Sequence, residues 1–412
     1  GEPRIAPTTG LRDDCRVAST KEVSDVEAPR APYVVPTKLR PPYIRHRLLE
    51  RADLLEKLRS GKDRALTLVC APAGYGKTTL LAQWAAADAD RMAFAWVSLD
   101  AMDSDPARLW AHVITALQEV HERVGERSLM AFAAGPRAVA ETGLPLLVEE
   151  LSDSRPVVLV LEDWHAAESR ACDESLSVFV DRAPSEVQVV ISTRHDPRLP
   201  IARLRAHGDL TELRARDLSV SATEAVALLG DRRLTSDDVR KLTERTEGWL
   251  AGLCMAAIVL KEQPDPRRFV HEFSGDMRDV FDYLARDVLA TAEPRVRDFM
   301  AHSSVLERLS APLCDAVLER SDSASMLADI ERANFFLVPL DTTGSEYRYH
   351  HLFADVLRRE LEATDPDTVP GLHARASLWF EDHGDVERAI DHAIACGDVT
   401  RTSMLVMRVA VP

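Results

Sequence analysis

The chain is 412 residues long, and at about 100–200 residues per domain it is expected to hold two to four domains. With 46% hydrophobic and 29% charged residues, it has the composition of a globular protein that buries its cores without disulfides or a structural metal. A formal net charge of −16 argues against indiscriminate binding along a phosphate backbone, which usually needs a basic excess, though it leaves room for a local basic patch.

Residues 1–32 carry Pro3, Pro7, Pro29 and Pro32, many charges and almost no aromatics, the composition of a disordered segment. Order is expected to begin near Tyr33. From there to about residue 216, short β-rich strings alternate with helical patterns. The strings are Ala65–Cys70, Phe94–Leu99, Val157–Leu161, Val187–Thr193 and Leu210–Leu213. They are continuous apolar runs, as expected of strands buried on both faces of a parallel sheet. Helical patterns at Thr78–Ala87 and Ala107–Val120 fall between them, giving the β–α–β rhythm of a doubly wound α/β domain. After Asp217 helices dominate. Ser221-Ala-Thr-Glu224 is a capping box, and Thr235-Ser-Asp-Asp238 offers a second helix start with Gly248 as its stop. Trp249–Leu260 reads as a buried helix and packing hub. Pro264 and Pro266, then Asp365, Pro366 and Pro370, mark turns. Residues 371–398 read as two amphipathic helices broken at Gly384 and ended at Gly397, the size of one unit of a helical repeat array.

The most informative string is Ala71-Pro-Ala-Gly-Tyr-Gly-Lys-Thr-Thr79, which follows a strand and opens a helix. It fits the phosphate-loop pattern G-x-x-x-x-G-K-[ST] at every position but the first, where Ala71 replaces Gly. Such a loop turns its amides inward around a β-phosphate at a helix N-terminus. Ala73, Gly74, Tyr75 and Gly76 form the cradle, and the two glycines permit positive φ and close approach. Lys77 would place its ammonium on the β- and γ-phosphates. Thr78 offers a hydroxyl to Mg²⁺, and Thr79 can donate to the α-phosphate.

A phosphate loop needs an acidic partner at the end of another buried strand. Val157–Leu161 is that strand, and Glu162-Asp163 follows it. One carboxylate would serve the Mg²⁺ shell while its neighbour orients or deprotonates water. The plain register gives the metal position to Glu162, where Asp is more usual; a shifted register gives it to Asp163, and both stay open. Arg194, at the end of Val187–Thr193, is either a γ-phosphate sensor, since a guanidinium matches phosphate oxygens, or a solvated surface residue.

The loop with its Tyr75, Leu99-Asp100, Glu162-Asp-Trp-His165, and Ser192-Thr-Arg-His-Asp-Pro197 with Leu199-Pro-Ile-Ala-Arg-Leu-Arg205 resemble the maltose-regulator-like STAND ATPases. These are signal-transducing P-loop ATPases that include the large LuxR-type bacterial transcription activators. Thr246-Glu-Gly-Trp249 with Ala251-Gly-Leu253 is similar to that family's helical-domain signature, and Tyr347-Arg-Tyr-His-His-Leu-Phe353 to its winged-helix signature. The resemblance runs from about Val34 to the C-terminus. It implies an α/β P-loop nucleotide-binding domain at 33–216, an all-helical domain at 217–275, a winged-helix domain at 276–362 and a helical arm opening a TPR-like array at 363–412. It further implies ATP/ADP and Mg²⁺ as ligands. ADP would be buried between the domains and lock a resting monomer, with slow hydrolysis, and ATP with an inducer would open the module for self-association. Residue by residue, Lys77, Thr78 and Thr79 match the phosphate and Mg²⁺ contacts, and Glu162 and Asp163 the acidic pair. His350 matches the histidine that reaches the phosphates in the closed form. The segment Val35-Pro-Thr-Lys-Leu39 with Arg47 and Arg51 matches the adenine side. A histidine tying one domain to a phosphate makes affinity depend on conformation, which a switch requires.

Such activators also carry a superhelical sensor and a C-terminal helix-turn-helix that these 412 residues lack. The chain is expected to be either a truncated module or a naturally short paralogue, with Gly1 in place of an initiator Met favouring the first, and to meet inducer and DNA only through those absent parts. A non-catalytic nucleotide-binding scaffold is one alternative, suggested by Ala71 and Glu162. A small-molecule P-loop kinase is another, though no arginine-bearing lid is evident. Trp249–Leu260, the longest strongly apolar stretch, is shorter than the about 20 residues a bilayer needs, and residues 1–32 hold no signal-type apolar run. A cytoplasmic protein without membrane contact is therefore expected. Its six cysteines are unpaired at metal or redox spacing and should be reduced and mostly buried.

Overall fold

A computed structural model describes residues 34–43, 49–132, 138–152, 154–230, 233–261, 263–274, 277–341 and 343–410. The segment 1–32 and Arg47 lie outside the described residues.

Five strands build the N-terminal half: β1 (Leu66–Cys70), β2 (Ala93–Ser98), β3 (Val157–Glu162), β4 (Val187–Thr193) and β5 (Leu210–Arg214). All pair in parallel, in the order β2-β3-β4-β1-β5. Every residue of β1, β3 and β4 is buried, which is why their sequences are mostly apolar, with Thr67, Glu162, Gln188, Ser192 and Thr193 as buried polar exceptions; the edge strands β2 and β5 keep half-buried positions. Helices α1 (Ala52–Arg59), α2 (Lys77–Ala87), α3 (Pro106–Gln118) and α4 (Arg170–Val180) cover both faces. Leu58, Leu81 and Trp84 share one core cluster with Val69, Val158 and Val190. Leu109, Trp110 and Phe179 share the other with Leu68, Leu159 and Ile191. The strand order sets the carboxyl ends of β1, β3 and β4 side by side. Cys70 pairs with Thr193, Leu161 with Ile191, and Ser98 on β2 with Glu162. In open parallel sheets that end of the strands is where ligands bind.

The remainder is mostly helical. The expected capping box forms, Ser221 with Glu224 on α5 (Ala222–Leu229), and the second helix start closes as a box too, Thr235 with Asp238 on α6 (Ser236–Arg245). Trp249 then leads into α7 (Leu250–Leu260). Helices at 294–303 and 311–318 and α8 (Ser323–Arg332) precede a small antiparallel hairpin, β6 (Leu337–Pro339) with β7 (Tyr347–Tyr349), and α9 (His351–Thr364) closes this winged-helix unit. The sequence offers little signal for the hairpin because each arm has three residues and β6 ends on a proline. The arm follows as α10 (Val369–Asp382) and α11 (Val386–Ala395), broken at Gly384 as its sequence reads. One apolar cluster runs from Val69 on the sheet through Leu253 and Phe353 to Ala389, so the helical parts are packed onto one face of the sheet.

Cys70, Cys172 and Cys314 are buried free thiols, and Cys254 and Cys396 are half-buried ones. No helix among the described residues is long and apolar enough to cross a membrane.

Candidate functional site

β1 delivers the chain into the loop at Ala71, and α2 begins at Lys77. Gly74 and Gly76 take the left-handed conformation, with φ 78° and 79°. A Cβ on Gly74 would lie 2.6 Å from Trp249 Nε1 and 2.7 Å from Ala251 Cβ, so that position needs glycine for backbone and for close approach, while Gly76, whose near neighbour is the flexible tip of Leu250, needs it for its backbone. Thr78 and Thr79 fall in the first turn of α2, where amides lack intrahelical acceptors and the dipole is positive. Lys77 is buried, and its Nζ donates to the carbonyls of Ala71 (2.7 Å) and Pro72 (3.0 Å). Burial pushes the ammonium down to about 8; Asp163 works against this and Arg194 adds to it. A cation held among loop carbonyls by exchangeable hydrogen bonds is ready for a stronger anionic partner.

Glu162, the last residue of β3, is buried. Its Oε2 accepts from Ser98 Oγ at 2.6 Å, and Ser98 accepts from Trp96 Nε1 at 2.9 Å. Asp163 follows at φ 55°, a left-handed conformation that costs a non-glycine residue about 1–2 kcal/mol. Of the two acids, Asp163 acts more strongly on the Lys77 ammonium. Two residues on, His165 Nδ1 is 3.8 Å from Asp163 Oδ1 and has no hydrogen-bond partner. Burial, Arg194 and Lys77 hold this imidazole down to about 3, so it is neutral. Arg194 itself is half-buried, acts electrostatically on Lys77 and His165, and offers its carbonyl to Asn334 Nδ2 at 2.7 Å. With Pro72, Ala73, His165, Asn334 and Phe335 it lines a cleft of about 820 Å³. The structure therefore brings Lys77, Glu162, Asp163 and Arg194 to one end of the sheet.

The loop is covered from the helical side. Trp249, read from sequence as core, is fully buried and also donates Nε1 to the Ala73 carbonyl at 3.0 Å, while the Ala251 amide donates to Gly74 at 3.0 Å. The two signature segments then meet over it. Arg348 forks onto both Glu247 oxygens at 2.7 Å, the His351 amide donates to Glu247 at 2.9 Å, and His350 Nε2 lies 2.8 Å from the Thr246 carbonyl. His350 is 1% exposed, and its Nδ1 has no hydrogen-bond partner. Its ring stands edge-on to Trp249 (6.3 Å) and Phe336 (5.6 Å). Burial keeps it below the usual histidine range despite the pull of Glu247. The imidazole thus bonds the helical segment and approaches the loop through Trp249. Phe336 packs against Tyr75 of the loop, 6.2 Å between centroids.

Arg51, expected on the adenine side, makes its bonds within the protein. Its guanidinium is spent on the carbonyls of Leu218 (2.6 Å), Asp217 (3.2 Å) and Ser219 (3.0 Å) and on Glu224 Oε1 (2.9 Å). With its fork engaged and the residue buried, Arg51 clips α1 to the start of the helical part. Arg47, its companion in that expectation, lies outside the described residues. Sequence reasoning passed over three contributors: Trp249 as a loop contact, His165 and Asn334. His165 and Trp249 sit in the signature strings quoted above, without a loop role assigned to them; Asn334 sits in none.

A family model described as the MalT winged helix domain matches residues 285–369. The serine/threonine-protein kinase PknK of Mycobacterium tuberculosis is 32% identical over 376 residues, covering 90% of this chain and 34% of the kinase. The HTH-type transcriptional regulator MalT of Klebsiella pneumoniae is 31% identical over 372 residues, covering 89% of this chain and 41% of the regulator. The chain therefore spans between 34% and 41% of these curated relatives' length. Among solved structures, a signal transduction ATPase with numerous domains and a tetratricopeptide repeat sensor from Pyrococcus horikoshii is 16% identical, covering 87% of this chain and 50% of that one, at a TM-score of 0.38. With a MalT-type winged helix behind a parallel α/β sheet, and MalT relatives matched along nine-tenths of its length, the chain belongs to the MalT-type STAND ATPases.

Proposed function

We propose that the chain is the nucleotide-dependent switch module of a longer cytoplasmic transcription regulator. In this reading it holds ADP in a closed resting form, hydrolyses ATP slowly, and opens to self-associate when ATP and an inducer act. Inducer and DNA would be met by other parts of the whole protein. The working division is a nucleotide-binding domain at 33–216, a helical domain at 217–275, a winged-helix domain at 276–362 and an arm at 363–412. One observation carries the reading. The helical and winged-helix segments are clamped to each other directly over the phosphate loop, through Trp249 on Ala73 and Arg348 on Glu247. A ligand in that loop that binds the clamped and open forms unequally would shift the balance between them.

The residues suit this ligand. The α2 amides and Lys77 would hold the phosphate oxygens. Among the described residues no group of three or more His, Cys, Asp or Glu side chains is arranged to hold a metal. A Mg²⁺ would instead rest on Thr78, one carboxylate and phosphate oxygens, the usual habit of that ion, and would neutralise phosphate charge. Glu162, tied to Ser98 at the strand end, suits the metal side, and Asp163 suits the orientation of water. Arg194 would sense the third phosphate. The unpartnered Nδ1 of His350 is a spare polar atom for the closed form. The test is to denature the purified chain and identify any released nucleotide by chromatography, then to titrate the stripped chain with ADP. ADP is expected in the first step, and a stabilisation of about 2.7 kcal/mol at 100 times Kd in the second. No released nucleotide together with no stabilisation would refute the reading.

A further inference from the structure

The turn between α8 and β6 holds Asn334 and Phe336, both in left-handed backbone, with φ 53° and 50°. Two such non-glycine residues within three positions persist only where the surroundings impose them. Two sets of contacts do so here. Asn334 Nδ2 donates to the Arg194 carbonyl at 2.7 Å and lies 3.4 Å from Cys70 Sγ, so it reaches the ends of the neighbouring strands β4 and β1 beside the phosphate loop. Phe336 stands against Tyr75 of that loop, Trp249 and His350, with centroids at 6.2, 5.6 and 5.6 Å, and its carbonyl accepts the His350 amide at 2.8 Å. The cleft of about 820 Å³ opens on this seam, with Arg194, Asn334 and Phe335 in its wall.

We propose that Asn334 is a positioning residue for Arg194. Its amide joins the strand end that carries Arg194 to the winged-helix turn only while that turn is seated, and it thereby sets the preference for diphosphate over triphosphate. The proposal rests on the nucleotide reading above, in which the seated form is that of the diphosphate. A contact present in one of two forms adds its full strength to their ratio, and hence to the ratio of affinities of ligands that prefer different forms. A hydrogen bond of ordinary net strength changes such a ratio about two- to tenfold. Asn334 grips the main chain of Arg194, so the strand end moves or stays as a unit with the winged-helix turn.

Calorimetric titration of the nucleotide-stripped 412-residue chain with ADP and with a non-hydrolysable ATP analogue, each with Mg²⁺, tests this. Asn334→Asp keeps the size and the tolerance of left-handed backbone but lacks the donor; Asn334→Gly keeps the backbone and lacks the side chain. Both should lower ADP affinity relative to the analogue about two- to tenfold. A merely structural loss weakens both ligands together, and an unchanged or raised ratio in either folded variant overturns the proposal. If neither variant folds, hydrogen exchange on the parent decides. Slower exchange at 334–336 with ADP than with the analogue supports it, and equal exchange overturns it. A parent that binds neither nucleotide removes the nucleotide reading, and this proposal with it, before any variant is compared.

Discussion

Glu247→Gln is expected to loosen the seam over the phosphate loop. The Glu247 side chain is 17% exposed and that of its partner Arg348 is 26% exposed. Burial alone would raise the carboxyl. The Arg348 fork, with His350 and the His351 amide nearby, more than offsets this and brings it from 4.5 to about 2. At about 1.4 kcal/mol for each pH unit, the fall corresponds to about 3 kcal/mol. A carboxyl with a lowered folded pKa contributes fully above its unfolded value of 4.5, and that contribution is lost as pH falls toward about 2. The amide keeps the shape and one acceptor, so the loss at pH 7 should be about 2 kcal/mol. Native-state hydrogen exchange at residues 247–251 and 348–351 reads local opening without requiring the whole chain to unfold as one unit. Exchange there should quicken about 30-fold, and the parent's protection should decay between pH 4.5 and about 2. A change below about threefold, or protection in the parent that does not vary across that window, would refute the argument.

Three further outcomes follow from the same geometry. Arg51→Lys should lower stability by about 1–2 kcal/mol through loss of the fork, with ADP affinity unchanged within about twofold; a larger fall in affinity would restore its nucleotide role. Trp249→Phe leaves the Ala73 carbonyl buried without its donor and should cost about 1–3 kcal/mol, read by denaturant titration. ADP affinity should weaken as pH rises through about 8, because Lys77 loses its proton there in the empty loop and a phosphate favours the protonated form; isothermal titration across pH 7–9 checks this, and a flat profile contradicts it.

Much of the architecture is legible in single segments. Val187–Thr193 reads as a strand and is one, because its Val189-Val-Ile191 centre is β-branched and buried on both faces. The phosphate loop is contiguous, so its glycines, Lys77 and the helix behind it can be recognised together. The capping boxes at Ser221 and Thr235 close within one turn and depend on nothing distant. Other features were out of reach. Trp249 looks like any core tryptophan until its indole meets Ala73, 176 residues away. An arginine near such a loop reads the same whether it grips phosphate or, as Arg51 does, the carbonyls of Asp217, Leu218 and Ser219.

The sequence by itself determined the elements that local pattern specifies: the individual strands, the loop between β1 and α2, and the break at Gly384; the order β2-β3-β4-β1-β5 joins strands more than a hundred residues apart. Tertiary structure alone decided which side chains face that loop. Arg348 to Glu247 spans 101 residues and Asn334 to Arg194 spans 140, and each of these polar groups suits many partners chemically. Packing of the helical and winged-helix parts against one face of the sheet selects one partner for each, because a buried polar group must bond whatever acceptor the core brings within reach.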